Sequence, residues 1–88
     1  MKERRVKIKN KLGLHARAAS VFVQLSNKFN SKITVQKDGM EVDGKSIMGL
    51  LTLAAPKGSE ILIIAEGPDE EKAIESLVKL IENKFGEE

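Results

Sequence analysis

The sequence predicts an α+β fold: an open-faced β-sandwich, with a four-stranded antiparallel sheet carrying three helices on one face, in the order β-α-β-β-α-β-α. Three observations predict it. The apolar period changes from two to the helical value between residues 9 and 16. An Asp38-Gly39 pair separates two short alternating runs, which marks a hairpin. Two further apolar-striped segments, around 46–53 and 70–84, precede and follow the last strand-like run. Helices gathered on one side of an antiparallel sheet are the architecture that such an order permits.

Each element has its own signature. Residues 3–9 read as the first strand, with Val6 and Ile8 alternating with Arg5, Lys7 and Lys9. The first helix is expected from about Ala16 to Phe29, with Ala18, Phe22, Leu25 and Phe29 as its stripe, widened by Ala19 and Val23. The second strand is placed at 32–37, with Ile33 and Val35 on one face, and the third at 40–42. Ser46 is placed at the N-cap of a two-turn helix reaching Leu53. Ile61-Leu62-Ile63-Ile64 is apolar throughout, which predicts a central strand at 60–66 covered on both faces, or nearly so. A last helix is expected to run to about Lys84, with Asp69, Glu70 and Glu71 in its first turn, where the helix dipole favours acids.

Composition narrows the function classes. Eighty-eight residues suffice for one domain, taken as 1–88. There is no Cys, which excludes disulfides and thiolate metal sites, and the single histidine cannot build a zinc site alone. Neither a metal nor another cofactor is expected. No apolar run approaches the roughly 20 residues that span a bilayer. The charged start, Met1-Lys2-Glu3-Arg4-Arg5, does not read as a secretory signal, so a cytoplasmic protein with no membrane partner is expected. Charge is uneven: within residues 1–11 six basic residues stand against Glu3, while residues 66–88 hold eight acids against three lysines. A basic strand is one way to attract nucleic acid. However, the chain has no Trp or Tyr and no basic-aromatic stacking set of the kind single-strand readers use.

The segment Gly13-Leu14-His15-Ala16-Arg17 carries the chemistry. His15 falls where loop gives way to helix, next to backbone N–H groups that lack intrahelical partners. Those donors and the helix dipole suit an anion, and the Arg17 guanidinium suits phosphate oxygens. Imidazole, with an ordinary pKa of about 6.5, is partly neutral and nucleophilic near neutral pH. Phosphoryl transfer needs positioning and charge stabilisation more than a large catalytic apparatus. Spacing alone leaves two readings: a phosphoryl acceptor, or an exposed histidine that merely precedes a helix.

At these residues the chain resembles the HPr family, the histidine-containing phosphocarriers of the bacterial phosphotransferase system. The family's active-site motif is close to G-[LIVM]-H-x-R-[PA]-[AGST], and here it reads Gly13-Leu14-His15-Ala16-Arg17-Ala18-Ala19. A second motif, around a regulatory serine, reads Gly44-Lys45-Ser46-Ile47-Met48-Gly49-Leu50. The resemblance covers essentially the whole chain and implies the same β-α-β-β-α-β-α fold. It implies that His15 accepts a phosphoryl group on Nδ1 from phosphorylated enzyme I and donates it to an enzyme IIA domain. Arg17 would stabilise the group, and the protein would be a carrier intermediate rather than a free-standing enzyme. It also implies phosphorylation of Ser46 by an HPr kinase/phosphorylase. Ile47, Met48 and Leu51, on a helix too short to bury every side, are the expected docking residues, in a protein expected to be monomeric.

Two residues depart from the common pattern. Ala18 stands where a proline is frequent, and Leu12 stands where many sugar-branch members carry Ser or Asn. Asn10-Lys11-Leu12-Gly13 is similar to the nitrogen-regulatory branch, so membership of a regulatory relay is the alternative to sugar transport.

Overall fold

A computed structural model of the chain describes residues 1–87. The strands are β1 (Lys2–Lys7), β2 (Lys32–Lys37), β3 (Met40–Asp43) and β4 (Glu60–Glu66); the helices are α1 (Ala16–Ser26), α2 (Ile47–Thr52) and α3 (Glu70–Glu82). The order is the expected one, and the sheet is antiparallel throughout, arranged β1-β4-β2-β3.

Register puts the apolar side chains on one face. Val6 pairs with Ile61, and Val35 is flanked by Ile63 and Val42. Because alternate residues share a face, Val6, Ile33, Val35, Ile61, Ile63 and Ala65 form the floor of the core and are buried. α3 packs over β1 and β4, and α1 packs against α2 and α3. The Asp38-Gly39 hairpin has φ values of 50° and 83°, the pair of positive angles that a type I′ turn requires.

Several expectations need correction. β4 is central, and its second face is covered only in part: its burial alternates, with Leu62 and Ile64 half-buried on the open side. Its apolar run reflects partial shielding of that side by neighbouring side chains, not a second layer of helices. β1 ends at Lys7 instead of residue 9, although Ile8 continues the edge by donating to Ser59 O and accepting from Gly58 N. α1 stops at Ser26, three residues before Phe29, and its buried face runs through Ala18, Ala19, Phe22, Val23 and Ser26. Leu25 and Phe29 only flank the core, Phe29 from the turn that follows. α2 has six residues, and α3 ends at Glu82.

Asp69, expected to serve the dipole of α3, does something more specific. It occupies the N-cap position but makes no side-chain cap bond to its own helix. Its carboxylate accepts instead from Ser31 Oγ (2.5 Å), Ser31 N (3.0 Å) and Asn30 N (2.9 Å), tying the entry of β2 to the start of α3. The Ser31 hydroxyl, with help from the Asn30 amide, holds this carboxyl below its ordinary value of 3.8. A depressed carboxyl contributes stability that is present above its unfolded pKa and is lost as pH falls through the folded value. Unfolding measured between about pH 5 and pH 2 is therefore expected to show a falling midpoint. In Asp69→Asn that acid slope flattens; an unchanged slope would remove Asp69 from the account.

Candidate functional site

The loop between β1 and α1 is fixed before the helix begins. Gly13 N donates to Asn10 O at 3.1 Å, and Leu14 N donates to Ala55 O at 2.9 Å, so the loop is stitched to the segment after α2. Gly13 has φ +70°, and a Cβ there would lie 2.6 Å from Ala55 O and 2.9 Å from Pro56 Cα. Only glycine permits both the left-handed angle and this approach.

His15 is the N-cap residue of α1, in extended conformation (φ −84°, ψ −178°), and its side chain makes no cap bond. Its carbonyl accepts the first helical bond, from Ala19 N at 2.8 Å. The N–H groups of Ala16, Arg17 and Ala18 precede that bond and point out of the helix end without an intrahelical acceptor. No acidic residue sits in the first turn, so no side chain of α1 itself offsets the positive end of its dipole beside the imidazole. The His15 side chain is 28% exposed. Arg17 is exposed and lines one open depression together with Lys11, Leu12, His15 and Glu87.

Two residues that sequence reasoning did not single out complete the site. Glu87 Oε2 lies 2.5 Å from His15 Nε2, across 72 residues of chain. Glu87 Oε1 accepts from Asn10 Nδ2 at 3.0 Å, and the same amide nitrogen donates to Gly13 O at 2.7 Å. Asn10 is fully buried, and its Oδ1 has no hydrogen-bond partner among the described residues. The Asn10 amide above all, then His15 and Arg17, hold the Glu87 carboxyl below its ordinary 4.5, against an opposing effect of desolvation. It is therefore ionised at neutral pH.

The turn that delivers Glu87 is unusual. Lys84, Phe85 and Gly86 have φ of 59°, 57° and 79°. The two non-glycine residues each give up roughly 1–2 kcal/mol in that region. Phe85 is buried in the core, and such burial contributes about 1.5–3 kcal/mol in the other direction.

Ser46 stands where the sequence placed it. Its Oγ accepts from Gly49 N at 3.0 Å and caps α2, and its side chain is half-buried. Of the three expected docking residues, Met48 is 74% exposed and Ile47 40%, while Leu51 is half-buried against the core and Leu50 fully buried. Leu12, 69% exposed beside His15, is a further surface apolar residue that the docking expectation left out. Leu12 and His15 share a shallow depression with Ala54, Ala55 and Pro56, so the segment after α2 borders the imidazole. Among the described residues no group of three or more His, Cys, Asp or Glu is arranged to hold a metal ion, and no helix is long and apolar enough to cross a membrane.

Comparison with known proteins gives a consistent picture. The family model for the phosphotransferase-system HPr component phosphorylation site matches residues 2–83. The HPr-like protein Crh of Halalkalibacterium halodurans is 50% identical, over 96% of this chain and 100% of its own length. The phosphocarrier protein HPr of Cupriavidus necator is 47% identical, over 99% and 98%. The crystal structure of HPr-C-His from Thermoanaerobacter tengcongensis superposes with a TM-score of 0.96 at 56% identity, covering 100% of this chain and 99% of that one. An HPr dimer from the same organism superposes at 0.79 with 55% identity, over 99% and 100%.

Proposed function

The chain belongs to the HPr family, and from that premise we infer that His15 is the residue on which it carries a phosphoryl group. It is a phosphocarrier of the phosphotransferase system, not an enzyme in its own right. The observation that carries the assignment to His15 is its place at the N-terminus of α1, whose first turn holds no acid, with Arg17 on the same depression. An arriving phosphoryl group there meets free backbone N–H donors and a guanidinium, the two groups that best match its oxygens. In this reading, phosphorylated enzyme I donates to Nδ1, and an enzyme IIA domain accepts. Arg17 stabilises the group in transit, and residues 1–88 act as one domain in the cytoplasm. No metal or other cofactor takes part.

Incubation with phosphoenolpyruvate and enzyme I, followed by addition of an enzyme IIA domain, tests the relay. One phosphoryl group per chain is expected, discharged when the IIA domain arrives; a chain that loads but cannot unload would remove the IIA assignment. A related HPr, from Thermoanaerobacter tengcongensis, is known as a dimer. A monomer remains our reading, and sedimentation of the full chain decides it.

Docking is assigned to the exposed apolar side chains Met48 and Ile47, with Leu51 beneath them as support. A thioether adapts to more than one partner surface. Met48→Asp is expected to slow uptake from enzyme I by about tenfold, or ~1.4 kcal/mol, with the unfolding midpoint unchanged. Undiminished uptake would take Met48 out of the interface.

Ser46 is assigned as a regulatory phosphorylation site for an HPr kinase/phosphorylase. Phosphate at a helix N-terminus is electrostatically favoured, so the modification would alter docking by charge without unfolding α2. Ser46→Ala is expected to abolish labelling by such a kinase with ATP and to lower stability by about 1 kcal/mol through loss of the cap. Equal labelling of the parent and the variant would contradict this assignment.

A further inference from the structure

Nothing in the Gly13–Arg17 motif calls for a partner from the other end of the chain, yet three features converge to bring Glu87 to the imidazole. Its two carboxylate oxygens are divided, one on His15 Nε2 and the other on Asn10 Nδ2. Asn10 is fully buried and braced against Gly13 O, so it is a rigid donor rather than a chance surface contact. The approach to Glu87 runs through three consecutive left-handed residues, two of them not glycine, held by buried Phe85. Strain of this kind persists where the surroundings fix a segment's end point.

We propose that Glu87, aimed by Asn10, is a positioning residue for His15: its carboxylate fixes the ring proton on Nε2 and leaves the Nδ1 lone pair free to take the phosphoryl group. The inference rests on the phosphocarrier reading and deepens it. An ionised carboxylate has no proton to donate, so a hydrogen bond between it and Nε2 requires Nε2 to be the donor. Lys11 and Arg17, which border the same depression, are cations that favour the ionised carboxylate. In uptake, the Nδ1 lone pair bonds to phosphorus while the donor's bond to phosphorus breaks and its electron pair leaves with the donor. The ring retains its Nε2 proton, becomes cationic and faces an anion already in place. In delivery, the bond from Nδ1 to phosphorus breaks and the pair returns to Nδ1.

The test compares the full-length parent with Glu87→Gln and Glu87→Leu, by ring ¹⁵N NMR at about pH 8, where imidazole is neutral, and by the rate of uptake from enzyme I. A glutamine oxygen must satisfy the buried Asn10 amide, which turns its NH₂ group toward Nε2 and makes that nitrogen an acceptor. The parent is expected to hold the Nε2–H tautomer, Glu87→Gln to favour Nδ1–H, and Glu87→Leu to show a mixture. Uptake should slow by roughly tenfold in Glu87→Gln, as for other residues that orient a reacting ligand, and by less in Glu87→Leu. A merely structural role for Glu87 would not invert the tautomer between two folded variants. The same tautomer in all three proteins overturns the proposal, as does an inverted tautomer with unchanged uptake. A parent that holds the Nε2–H tautomer yet takes up no phosphoryl group supports the positioning and overturns the carrier reading instead.

Discussion

His15→Ala is expected to take up no phosphoryl group from phosphorylated enzyme I, a loss of more than roughly a thousandfold, the scale seen when a nucleophile is removed. Its stability should stay within about 1 kcal/mol of the parent. Both halves follow from the geometry. His15 is the only histidine, and the chain has no cysteine to substitute for it. The side chain makes no cap bond to α1, and the helix start depends on the His15 carbonyl, which alanine retains. Among the described residues the one side-chain hydrogen bond lost is that to Glu87, whose other oxygen keeps its Asn10 donor. Intact-mass measurement after loading and a thermal melt check the two halves separately. Residual labelling of the folded variant would place the acceptor elsewhere.

Gly13→Ala is expected to lower stability by about 2–4 kcal/mol, through forced strain at a position that is both left-handed and closely packed. For a domain of this size that is a drop of roughly 10–25 °C in the melting midpoint. The added Cβ would meet backbone rather than a yielding side chain, 2.6 Å from Ala55 O and 2.9 Å from Pro56 Cα. The loop must therefore move, and the Leu14 N to Ala55 O bond that seats His15 moves with it. Gly39→Ala provides the control. Its φ is also positive, at 83°, but nothing lies within 4 Å of the added carbon. There the expected cost is only about 1 kcal/mol. Equal losses in the two variants would show that close approach at Gly13 contributes nothing.

Much of this architecture is legible in the sequence because it is encoded locally. The alternation at Val6 and Ile8, the Asp38-Gly39 pair and the Ser46 cap are each a matter of a few neighbouring residues, and each stands in the structure as expected. Boundaries are less legible, because tertiary packing decides them. α1 ends at Ser26 since Phe29 reaches the core from a turn, and β4 carries apolar residues on an open face that its composition alone suggests is covered. The site divides in the same way. Position and residue type pick out His15 and Arg17 as site candidates, and Ser46 as the cap of α2. Asn10 and Glu87 are invisible to such reasoning: one reads as a loop residue, the other as one acid among eight in its segment, and their contact spans 77 residues. A buried asparagine just before a glycine loop is the one local hint, and burial is not visible in a polar loop sequence.

Carrier function depends on where the phosphoryl group is held. After loading from phosphoenolpyruvate and enzyme I, ring ¹⁵N and ³¹P NMR of the intact protein, with proteolytic mapping of the adduct, locate it directly. One acid-labile, base-stable group per chain is expected, bonded to Nδ1 of His15. A ring that stays unmodified under these conditions, or a group found on Nε2 or on any other residue, would contradict it.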